Sequence, residues 1–176
     1  LIELVSIMKG MVIAMNELDT VSKFEPISKM AINICGNLID LGKQSPELSN
    51  VNKQLLETVN EFLLRFPALL RIENVEYSYV KIMLVNNMKE SSVQVALNSK
   101  EPRLRIFSVI LEYCSIHGEH DLAFVILNEI GKRNLFPTET EYLYVLLSLS
   151  KIDDISIWTK YLKELILVHL SSITLP

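Results

Sequence analysis

The sequence predicts an all-α protein, a right-handed α-α superhelix (solenoid) of antiparallel helix-pair repeats. Three observations predict it. Turn residues are scarce, with 5 Gly and 6 Pro in 176 residues, whereas an all-β sandwich needs turn signals every ~8–12 residues. Apolar residues recur at three- and four-residue spacing, and no strand-like alternation competes with them. Landmark residues return at an interval of 35, a length that suits a pair of helices stacked in an array.

The elements follow in order. Residues 1–17 read as a helix, with Gly10 as a weak point. A second helix follows Pro26 and runs to Gly42, a natural C-terminal stop. Ser45-Pro46 has the form of an N-cap followed by proline in the first turn. The helix behind it starts in earnest near Val51, where Leu55, Leu56, Val59, Phe62 and Leu63 share a face, and Pro67 ends it. Residues 75–85 read as a helix and 92–98 as a short one.

Beyond residue 100 the pattern sharpens. Ile106, Phe107, Ile110, Leu111 and Cys114 form one stripe, broken at His117-Gly118. Asp121 caps or opens the next helix, with its stripe at Leu122, Ala123, Ile126, Leu127 and Ile130. Lys132 and Arg133 complement the negative end of its dipole. After a loop over 134–137, Thr138 and Glu141 have capping-box spacing ahead of Tyr142, Val145, Leu146 and Leu149. Asp153 and Asp154 introduce a last helix bearing Ile157, Trp158, Tyr161, Leu162 and Leu165.

The repeat is explicit in the second half. From Pro102, Phe107, Gly118, Ala123 and Ile130 lie at offsets 5, 16, 21 and 28. From Pro137, the same offsets hold Tyr142, Asp153, Trp158 and Leu165. Pro26 to Gly42 supplies a third, partial copy. Pro67 has the right interval to Pro102, but Met83 and Met88 stand at the glycine and alanine places. The expected organisation is therefore degenerate repeats over 1–99 and two clearer repeats over 100–176, in one continuous solenoid. Starting at Leu1 rather than Met, the chain is expected to be a processed product or a piece of a longer protein.

Composition narrows the function. The chain is 49% hydrophobic, with mean hydropathy +0.29, but no run of ~18 apolar residues crosses a membrane's thickness. Leu162 to Leu170, the greasiest stretch, is broken by Lys163, Glu164 and His169. Cys35 and Cys114 sit in apolar helical text and read as buried thiols, and no Cys-x-x-Cys supports zinc or redox chemistry. His117-Gly118-Glu119-His120 has two histidines and no third ligand, so it reads as a surface turn. Tyr77, Tyr79, Tyr142 and Tyr144 read first as core, and as base-stacking groups only if exposed. The six Met are gap fillers. No catalytic constellation emerges.

Pro102-Arg103-Leu104-Arg105-Ile106-Phe107, then Tyr113-Cys114, then Phe136-Pro137-Thr138-Glu139-Thr140-Glu141-Tyr142-Leu143 resembles the last repeats of the protein-only ribonuclease P enzymes, within the pentatricopeptide repeat family. The close match covers residues 100–165, and residues 1–99 fit as generic helical repeats. The resemblance implies an RNA-binding domain that grips precursor tRNA for 5′-leader removal in a mitochondrion, another organelle or the nucleus. It also implies that the parent's Mg²⁺-dependent nuclease domain and zinc module lie outside this stretch, which needs no cofactor of its own. By the same resemblance Ser108 and Thr138 hold places that face bases. Arg103 and Arg105, at a repeat junction, are placed to reach phosphate.

Charge opposes this reading. Residues 1–100 carry 10 basic and 11 acidic side chains, and 101–176 carry 7 and 10, whereas phosphate binding demands local positive charge. The alternative is a helical-repeat scaffold that binds protein subunits of an organellar RNA-processing or ribosomal complex.

Overall fold

The computed structural model describes residues 1–17, 21–39, 46–101 and 103–170. Among them the architecture is wholly helical, with nine α-helices and no strand. The chain divides into two compact units, Leu1–Ile110 and Leu111–Pro176.

The first unit holds α1 (Ile2–Glu17), α2 (Glu25–Leu38), α3 (Pro46–Arg65), α4 (Glu73–Val85), α5 (Lys89–Asn98) and the beginning of α6 (Leu104–His117). Helix α4 is its hub, packing against α2, α3 and α5, while α1 lies on α3. The reason is written in α4 itself, where Val75, Val80, Ile82, Met83, Leu84 and Val85 are all buried. A helix apolar on several sides must be covered from several sides. Met8, Ile32, Leu55, Phe62 and Leu69 complete this core.

Several boundaries differ from expectation, with α4 beginning at Glu73 rather than Val75 and α5 at Lys89 rather than Ser92. Helix α3 begins at Pro46 rather than Val51, because proline's fixed φ suits a first helical turn and its missing N–H has no bond to make there. Helix α2 ends at Leu38, with Ile39 extended. The expected stop at Gly42, together with Ser45 and the repeat anchor Pro102, lies outside the described residues. Between Pro67 and Arg71 the chain makes a 3₁₀ turn, since proline after α3 prevents the α-helix from continuing.

The second unit holds the rest of α6, then α7 (His120–Lys132), α8 (Glu139–Leu149) and α9 (Ile155–Glu164), which runs into a π-helical turn over Leu165–Leu170. Helices α7 and α8 pack together through a core that includes Ala123, Ile126, Leu127, Ile130, Val145 and Leu149. Asp121 opens α7 from inside its first turn and makes no side-chain cap. Leu146 and Ile157, expected on buried stripes, are instead exposed at 39% and 40%. At α9 the sequence reading of the start holds, because the Asp154 carboxylate accepts the Ser156 N–H at 2.8 Å.

Three helices end the same way. Gly118, Asn87 and Asn134 take positive φ of 71°, 57° and 56°. Each is followed by an N–H that reaches back five residues: Glu119 to Cys114, Met88 to Met83 and Leu135 to Ile130, at 3.0–3.1 Å. This six-to-one closure satisfies a helix's last carbonyls and reverses the chain within a few residues. Glycine makes the left-handed turn without steric cost, and asparagine is the side-chain-bearing residue that tolerates it best.

Candidate nucleic-acid interface

Arg103 and Arg105 flank the start of α6, and both reach the first turns of α4. They do different things there. Arg103 Nη1 lies 2.5 Å from Glu73 Oε2, an ion pair whose arginine side chain is 54% exposed. Arg105 Nη1 donates to Asn74 Oδ1 at 3.0 Å, and its guanidinium lies 3.9 Å above the centre of the Tyr77 ring. A planar guanidinium over an aromatic face gains a cation–π attraction and keeps its edge free for hydrogen bonds.

Arg105 and Tyr77 line a polar cavity of about 240 Å³ with Asn33, Asn37, Asn74 and Ser78. Its position follows from one contact. Gly36 faces Ser78, and a β-carbon there would come within 2.7 Å of the Ser78 Cα. The absent side chain lets α2 and α4 approach closely. Asn33 and Asn37, each within four residues of Gly36, are carried to the same place. The Asn33 Oδ1 is buried with no hydrogen-bond partner among the described residues. Buried acceptors are almost always satisfied, so this oxygen is an acceptor that a donor entering the cavity could use. Sequence reasoning found Arg105 but missed the asparagines. The one available signal was the Asn33-x₃-Asn37 spacing on the helix that contains Gly36.

The other two sequence-predicted contacts have internal roles. Ser108 Oγ donates to the Leu104 carbonyl at 2.9 Å. Thr138 caps α8: its oxygen accepts the Thr140 N–H, while its own N–H donates to Glu141 Oε2 at 2.7 Å. Thr138 belongs to the second unit and the arginine sites to the first. Arg103 and Arg105 line different hollows, Arg103 facing a larger cleft with Glu73 and Glu76.

Tyr77, Tyr79, Tyr142, Tyr144 and Tyr161 are half-buried, and Tyr113 is buried. Tyr79 donates to Asn60 Oδ1 at 2.8 Å. The Tyr161 hydroxyl donates to Asp121, and that hydrogen bond, ahead of burial, pushes its pKa up to about 12. His117 stacks on Tyr113 at 4.1 Å and His120 meets Tyr161 edge-on at 5.3 Å. Among the described residues no group of three His, Cys, Asp or Glu is placed to hold a metal ion, and no helix is long and apolar enough to cross a membrane. Both cysteines are buried thiols outside any disulfide, and burial pushes the Cys35 thiol up to about 11.

The cavity's chemistry is therefore that of three carboxamides, a serine hydroxyl, a phenol and one guanidinium. Such groups recognise an edge carrying both a hydrogen-bond donor and an acceptor. Its volume is below the ~300–1,000 Å³ typical of whole-ligand pockets, so it suits one ring or one functional group. No protein-family model matches the sequence, and no curated protein or solved structure matches it either.

Proposed function

We propose that this chain is an RNA-binding module of pentatricopeptide-type helix pairs stacked as a solenoid, the part of a protein-only ribonuclease P that grips precursor tRNA. In this reading it binds and does not cleave. Mg²⁺ and Zn²⁺ belong to other parts of the parent, which works in an organelle or the nucleus. The observation that carries the reading is the amide-lined cavity in which Arg105 lies across Tyr77 beside the unpartnered Asn33 oxygen. Asparagine and arginine are the side chains that most often read base edges, and unstacked RNA bases are the edges available to be read.

The test is titration of the purified chain with precursor tRNA and with an unstructured RNA of equal length, each at two salt concentrations. The expected result is preferential, salt-sensitive binding to tRNA that weakens by about 1–3 kcal/mol in Arg105→Ala, the range for losing one specific base contact. A folded chain that binds neither RNA overturns the proposal.

A second reading, a scaffold for a protein partner, is favoured by one surface feature. Ile27, Met30, Ile34 and Leu38 lie on one face of α2 and are 46%, 57%, 39% and 57% exposed. A contiguous apolar stripe of this kind commonly marks a protein contact.

A further inference from the structure

The hollow that Arg103 faces has a chemistry of its own. A cleft of about 500 Å³ opens between the Pro67–Arg71 turn, α4 and the C-terminal end of α5. That volume lies in the range of small-molecule sites, ~300–1,000 Å³. Its lining is mixed: Leu70 and Val95 give apolar wall, and the charged groups carry both signs. Most of those charges are exposed, and Arg103 is already neutralised by Glu73 at 2.5 Å. Arg71 and Lys100 stand in solvent, where water and salt screen them.

Glu76 is different. Only 6% exposed, it is the buried charged residue of the lining among the described residues. A charge in a low-dielectric surround acts far more strongly than one in water, so Glu76 sets the field inside the cleft. Its Oε2 accepts the Ser99 hydroxyl at 3.1 Å. An ionised carboxylate offers about four acceptor sites, so one hydroxyl leaves most of that capacity unused. Burial accordingly raises the pKa of the Glu76 carboxyl.

We propose that this cleft binds a primary ammonium group carried on a short aliphatic stem, with the ammonium on Glu76 and the stem against Leu70 and Val95. A guanidinium fits less well, because its planar fork must meet both carboxylate oxygens in one plane, whereas an ammonium can use whichever acceptor sites the Ser99 hydroxyl leaves. A divalent cation needs several oxygen ligands, and here one carboxylate is buried. The ammonium is compact and makes its bonds from a single point. The same chemistry comes from a free alkylamine or from a lysine side chain of a partner protein.

The experiment is a ¹⁵N–¹H correlation titration of the intact chain with n-butylammonium, with 1-butanol as the uncharged analogue, and with an Nα-acetylated lysine amide. Saturable shifts at Val95 and Ser99 with butylammonium are expected, at least tenfold weaker with butanol. Glu76→Gln abolishes them, whereas Ser99→Ala, which keeps the carboxylate, retains them. Tighter binding of the lysine amide than of butylammonium assigns the site to a protein side chain, and weaker binding assigns it to a free amine. Absence of saturable shifts in the folded wild-type chain overturns the proposal, as does equal response to butanol, a comparison that needs no variant. Arg105→Ala leaves butylammonium binding unchanged, so loss of RNA binding and loss of amine binding are separable.

Discussion

Gly36 and Ser78 set how closely α2 and α4 can lie. A methyl group at Gly36 would overlap the Ser78 side chain and sit 2.7 Å from its Cα, too close to be absorbed by a rotamer change. Because backbone is involved, the helices themselves must part. Gly36→Ala is therefore expected to destabilise the fold by about 1–3 kcal/mol, the usual range for overpacking a tight core, measured by urea unfolding. The wider gap also displaces Asn33 and Asn37 from Asn74 and Arg105, so under the proposed function RNA affinity is expected to fall with it. By contrast Gly10 has open space around its missing β-carbon. Gly10→Ala in mid-helix is expected to stabilise by about 0.5–1 kcal/mol. If both substitutions had equal effects, the close approach would not be what distinguishes Gly36.

At the scale of elements, what starts and ends each helix matters more than its propensity. Helix α8 is the clearest case. Thr138 satisfies one orphan N–H, and Glu141, only 3% exposed, satisfies the Thr138 N–H in return. Thr138→Ala removes the cap and leaves the Glu141 carboxylate with less to hold. A loss of about 1–2 kcal/mol is expected on the scale of measured cap deletions, with Thr138→Ser close to wild type. Thermal or urea unfolding checks both. RNA binding by Thr138→Ala at a temperature where the variant remains folded separates the capping role from base contact, and unchanged affinity assigns the residue to the cap alone.

For the molecule as a whole, charge and pH are the informative variables. The formal net charge is −4, and the ion pair with Glu73 removes Arg103 from any simple count of free cations. Glu73→Gln raises the net charge by one unit and releases Arg103. Tighter RNA binding with a steeper salt dependence is expected, because each additional phosphate contact releases counterions. Fluorescence anisotropy at two salt concentrations reads it, and unchanged affinity would separate Arg103 from the RNA surface. Glu76 governs a second response. Burial raises its folded-state pKa above the ordinary 4.5, opposed in part by the Ser99 hydrogen bond and assisted by Glu73. The folded state holds that proton more tightly than the unfolded chain does. The contribution to stability is thus full below pH 4.5 and is lost as pH rises through the raised value. Relative to wild type, Glu76→Gln is expected to gain stability as pH rises above the ordinary 4.5, followed by urea midpoints across the acidic to neutral range. Asp154, held below its ordinary range by its bonds from Ser156, acts in the opposite sense at the acidic end.

Helix positions and much of the core were legible because both are local. Three-to-four spacing identifies a buried face, and Phe107, Ile110, Ala123, Ile126 and Val145 are buried as that spacing requires. The capping box at Thr138 and the cap at Asp154 were readable for the same reason, since each is a contact between residues two or three apart. The left-handed turns at Asn87 and Asn134 were not, because asparagine is common elsewhere and only the chain reversal forces its φ positive. The Arg105 cavity was half legible. A basic residue at a helix start is visible in the text, but its partners Asn33, Asn37, Asn74 and Tyr77 come from two other helices. The all-helical character, the spacing of the apolar faces and the helix starts followed from residues near one another in the chain. Which arginine meets Glu73, which lies over Tyr77, and which glutamate is buried depended on how closely α2, α4 and α5 pack. That is a matter of side-chain volume at contacts such as Gly36 on Ser78, between residues 42 apart in the sequence.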